Sequence, residues 1–79
     1  MTPAQNSLNN FYQSVKFTNP RLAVLMTDDI IQVALGGLAA DKTDGQAAAD
    51  RLRQIALEHN LPEVHRRVLE NALTGLGYS

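Results

Sequence analysis

The chain contains no cysteine and no tryptophan. Without cysteine it has no disulfide framework, no thiolate metal site and no cysteine nucleophile. Aromatic residues make up 5% of the sequence, and they sit toward its two ends as Phe11, Tyr12, Phe17 and Tyr78. Charge of one sign is not in excess: seven basic and eight acidic side chains leave a net charge of −1. That balance argues against a polybasic or acidic interaction tail. A long hydrophobic run is missing too, because Ile30 to Ala40 is broken by Gln32 and two glycines. A membrane-spanning helix needs about 20 apolar residues. The basic and apolar stretches of a secretory signal are likewise absent from the first residues. These absences lead us to expect a soluble, cytoplasmic protein without membrane contact.

The 79 residues suffice for a single domain, 1–79, of a size that buries only about 60% of its unfolded surface. A core this small supplies roughly 3–5 kcal/mol. With no disulfide to help, tight packing, self-association or a protein partner has to supply the remaining stability.

What the sequence does have is helix punctuation. Thr2-Pro3-Ala4-Gln5, Thr43-Asp44-Gly45-Gln46 and Asn60-Leu61-Pro62-Glu63 read as capping boxes. Asn19-Pro20 is a further start, and Thr27-Asp28-Asp29 places two carboxylates where they would meet the positive end of a helix dipole. Apolar spacing follows the helical period throughout and nowhere alternates with period two. Ala4, Leu8, Phe11, Tyr12 and Val15 make one stripe, and Ala48, Ala49, Leu52, Ile55 and Ala56 make another. The last helix carries Leu61, Val64, Val68, Leu69, Ala72, Leu73 and Leu76 before Gly75 and Gly77 stop it. Residues 20–26 are apolar on every side, which predicts a short buried helix, and 28–40 are apolar over more than half the circumference, which predicts a central one. The expected fold is all-α, a compact orthogonal or bundle-like domain. It has four longer helices at about 3–16, 28–40, 44–59 and 61–76 and a short one at about 20–26; residues 20–40 as one bent helix is the alternative. Gly36, Gly37 and Ala40, with Ala47 to Ala49, permit close helix approach, or a hinge at Gly36-Gly37.

Catalytic chemistry finds little support. The serines are Ser7, Ser14 and Ser79, none in a nucleophile elbow, and Gly36-Gly37 lies inside a helical pattern rather than in a phosphate loop. Length and helical content are similar to those of acyl carrier proteins, but that family carries its prosthetic group on an Asp-Ser-Leu-type motif, and this chain has no Asp-Ser pair. The expectation is a non-enzymatic protein without cofactor. His59 and His65 fall on the apolar stripes of consecutive helices. They are the candidates for a metal or pH-sensing pair, although no third ligand accompanies them. The ordinary reading is a pair of core or rim histidines.

Two functional readings follow. The first is a small interaction or regulatory module that binds a protein partner, itself included. Its candidate interface residues are Phe11 and Tyr12 on the first helix, with Phe17 and Leu57, which fall off their helices' stripes. The second is a small DNA-binding regulator. Residues 55–69, within 52–73, resemble a degenerate helix-turn-helix followed by a basic helix, with Arg51, Arg53, Arg66 and Arg67 as nucleic-acid candidates. The segment departs from that pattern in a turn one residue short, His59 in an apolar position and Asn60 in place of glycine. The spacings Glu63–Arg67 and Arg66–Glu70 also predict internally matched charges.

Overall fold

A computed structural model describes residues 3–36 and 43–78. It contains four α-helices: α1 (Pro3–Thr18), α2 (Pro20–Gly36), α3 (Thr43–Glu58) and α4 (Glu63–Gly75). No strand occurs among the described residues.

The expected short helix at 20–26 does not exist as a separate element, because α2 runs unbroken through Thr27. The Thr27 hydroxyl donates to the Ala23 carbonyl at 2.9 Å, one turn back, and lies 3.2 Å from the Tyr12 hydroxyl. Its polar group is therefore satisfied inside a continuing helix and does not cap a new one. Asp28 and Asp29 accordingly sit in the middle of α2, away from any helix N-terminus. The expected continuation to residue 40, with Gly37, Leu38 and Ala40, lies outside the described residues, as does Thr2.

The Asn19-Pro20 start is present as expected. Asn19 alone separates α1 from α2, and its Oδ1 accepts from the Leu22 amide at 3.2 Å as an N-cap does. The start expected at Asn60 serves a different purpose. Asn60 has φ 53°, its amide donates to Leu57 O at 3.2 Å, and the Leu61 amide donates to Ala56 O at 3.0 Å. This is the Schellman ending of α3, with Asn60 in the left-handed position and Leu61 folded back into the core. α4 begins only at Glu63, after Pro62, with no side-chain cap.

The same ending closes α4. Gly77 takes φ 93° and the Tyr78 amide reaches Leu73 O at 2.9 Å. That turn drives the Tyr78 ring inward, where its hydroxyl donates to Val33 O at 3.0 Å. Room for the ring comes from two glycines at the α2–α3 crossing. A Cβ on Gly45 would stand 2.9 Å from Tyr78 Cζ, and one on Gly36 would strike the Tyr78 hydroxyl. At the α1–α4 contact a Cβ on Gly75 would come within 2.8 Å of Ala4 Cβ.

Chain direction alternates from helix to helix. Tyr12 lies beside Thr27, Asp29 beside Arg51, Arg53 beside Glu70, and Gly75 beside Ala4. α2 packs most extensively on α3, and α1 on α4 and α2, while α3 and α4 touch much less. One core joins all four helices, with Phe11, Met26, Leu52, Leu69, Leu73 and Tyr78 among its largest members.

Candidate interaction surface

α2 sets up the surface because it is apolar on more sides than its neighbours can cover. Leu22, Ala23, Met26, Asp29 and Val33 face the core. The opposite side carries Val24, Leu25, Ile31 and Leu35, all exposed, with Val24 keeping 72% of its surface in solvent. The segment predicted to be buried on every side and the one predicted to be central thus form one helix with apolar side chains left uncovered. Two grooves flank it. The one shared with α1, about 440 Å³, is lined by Leu8, Tyr12, Ile30 and Ala34 together with Gln5 and Asn9. The one shared with α3, also about 440 Å³, carries Asp28, Asp29, Asp44 and Arg51 among its walls. In that groove Arg51 Nε donates to the mostly buried Asp29 at 2.8 Å, tying α3 to α2.

The four residues chosen from sequence as interface candidates divide. Phe17 at 90% exposure and Leu57 are on the surface. Phe11 is 1% exposed and belongs to the core, so it presents nothing to a partner in this fold. Tyr12 is half-buried in the α1–α2 groove. The sequence reading placed helix here, with residues 20–40 as one bent helix among its alternatives, but missed α2 as a surface, although the signal was present. A helix apolar over more than half its circumference needs several neighbours to cover it, and the other three described helices leave part of α2 exposed.

Three of the four arginines singled out as nucleic-acid candidates engage carboxylates. Arg51 pairs with Asp29, Arg53 with Glu70 and Asp50, and Arg67 with Glu63. The expected Arg66–Glu70 pair is replaced, because Glu70 accepts from Arg53 Nε at 2.7 and 2.9 Å across the α3–α4 hairpin. Val64, assigned to the apolar stripe of the last helix, is exposed. His59 is exposed as well, carried out of its stripe by the turn that ends α3, whereas His65 is half-buried against Asn10, Phe11 and Ser14. No group of three or more metal-ligating side chains occurs among the described residues. None of the described helices is long and apolar enough to cross a membrane. The chain matches no protein-family model, and no curated protein or solved structure resembles it significantly.

Proposed function

We infer that this protein is a small, non-enzymatic interaction module whose binding face is the outer side of α2, and that it acts in the cytoplasm by docking to another protein chain, a second copy included. The observation that carries this reading is the exposure of Val24, Ile31 and Leu35 close together on the outer side of α2, with Leu25 also exposed beyond Arg21 and Asp28. Scattered single exposed apolar residues are ordinary, but several large ones on the outer side of one helix mark a place where another molecule sits. The test is affinity capture from the cells that make the protein, after nuclease treatment, comparing wild type with Ile31→Asp and Leu35→Asp. Protein partners, or extra copies of the chain, retained by wild type and lost from both variants are the expected result. An identical set of captured proteins with all three removes α2 from the reading.

A DNA-binding regulator is the second reading. Asn60 favours it, holding the left-handed conformation at the position where helix-turn-helix turns carry glycine. The carboxylates on Arg51, Arg53 and Arg67 weigh against it, since a DNA-reading face leaves its positive charge free. It requires binding that falls steeply with salt and disappears in Arg66→Ala and Arg67→Ala.

A further inference from the structure

We propose that the occupant of the α2 face is a second copy of this chain, with the two α2 helices antiparallel about a two-fold axis that passes between Val24 and Leu25. This rests on the reading of α2 as the binding face, and the charges on that face select the partner. Arg21 and Asp28 are both exposed, and neither takes part in an ion pair among the described residues. They are two turns apart, about 10 Å along the axis at 1.5 Å per residue, too far to pair with each other. Helical ion pairs form between residues three or four apart. At those distances within α2, Arg21 has Val24 and Leu25, and Asp28 has Val24, Leu25, Ile31 and Gln32, none of them charged.

On a helical projection Arg21 and Asp28 fall nearly in line, with Val24 and Leu25 to either side between them. A two-fold axis at that midpoint brings each Arg21 opposite the other copy's Asp28, the two Val24 side chains together on one side of the axis line and the two Leu25 side chains together on the other. Four apolar side chains then meet at the centre, with an ion pair at each end, and one patch is complementary to itself as a closed dimer requires. The same operation carries Ile31 past the first turn of the second copy's α2, toward the corner where α1 ends with exposed Phe17. Opposite charges in line on one helix face make that face complementary to its own copy turned about a two-fold axis. Flanking charges of this kind fix register and orientation more than they add affinity.

The test is analytical ultracentrifugation of the full chain over a concentration series reaching about 1 mM, the weak end of measurable association. Wild type should dimerise, and Val24→Asp should abolish it. Arg21→Asp sets Asp against Asp28 twice per dimer, and Asp28→Arg sets Arg against Arg21 twice. Each should weaken the dimer about tenfold, roughly 1.4 kcal/mol, and the double variant Arg21→Asp/Asp28→Arg should restore it. Circular dichroism of every variant checks that the helices are intact. A wild type that stays monomeric overturns the proposal, as does a double variant no stronger than the single ones. If the monomeric wild type captures a different protein that Val24→Asp loses, the dimer is wrong and the interaction-module reading stands. If neither self-association nor a Val24-dependent partner is found, both are wrong.

Discussion

At the scale of single residues, Tyr78 links the most parts of the molecule. It follows α4, yet its hydroxyl ends on a carbonyl of α2 and its ring lies against Gly45 of α3. Its burial pushes the hydroxyl's pKa above the usual 10.0. A group whose folded-state pKa is raised contributes stability that is fully present below its unfolded pKa and is lost as pH rises through the folded value. Stability should therefore decline above about pH 10 as the unfolded chain begins to lose the Tyr78 proton. Tyr78→Phe keeps the ring but removes the hydrogen bond, at about 1 kcal/mol near neutral pH. The variant should also show a shallower alkaline decline, read from urea denaturation at a series of pH values between 7 and 11. Equal slopes for the two proteins would mean that the hydroxyl is hydrated in the folded state.

At the scale of elements, each turn depends on one residue whose type suits its backbone. Asn60 holds φ 53° between α3 and α4, a conformation that asparagine tolerates and glycine adopts without steric cost. Asn60→Gly should leave stability unchanged within about 0.5 kcal/mol, while the β-branched Asn60→Val should destabilise by about 1–2 kcal/mol, measured by thermal denaturation. If valine is tolerated as well as glycine, the α3–α4 turn does not have this geometry. These turns also show which parts of the fold were legible. The α1 and α3 stripes and the Asn19 cap could be read directly, because local periodicity and a side chain bonding three residues on are sequence-local facts. Asn60 was misread because asparagine serves equally as an N-cap and as a left-handed C-terminal residue, and only the partner of its amide distinguishes the two. Thr27 was misread for a related reason, since a threonine hydroxyl can cap a helix or bond back to the preceding turn. The binding face was not legible as a face. The pattern of α2 gives its apolar breadth but not the number of neighbours available to cover it, which is a property of the assembled helices.

At the scale of the whole molecule, the uncovered face and the small core bear on the same quantity. A chain of this size has little stability to spare, and anything that binds the folded state alone adds to it by mass action. If α2 pairs with a second copy, the melting temperature must rise with protein concentration. Val24→Asp replaces an exposed side chain, so in the isolated monomer it should shift stability by less than about 0.5 kcal/mol. Wild type and Val24→Asp are therefore expected to melt together when dilute and to diverge when concentrated, with only wild type rising. Scanning calorimetry across a hundredfold range of concentration separates this from an intrinsic effect of the substitution. A variant that melts lower than wild type by the same margin at every concentration would place Val24 inside the monomer's own packing, and α2 would then not be an uncovered face.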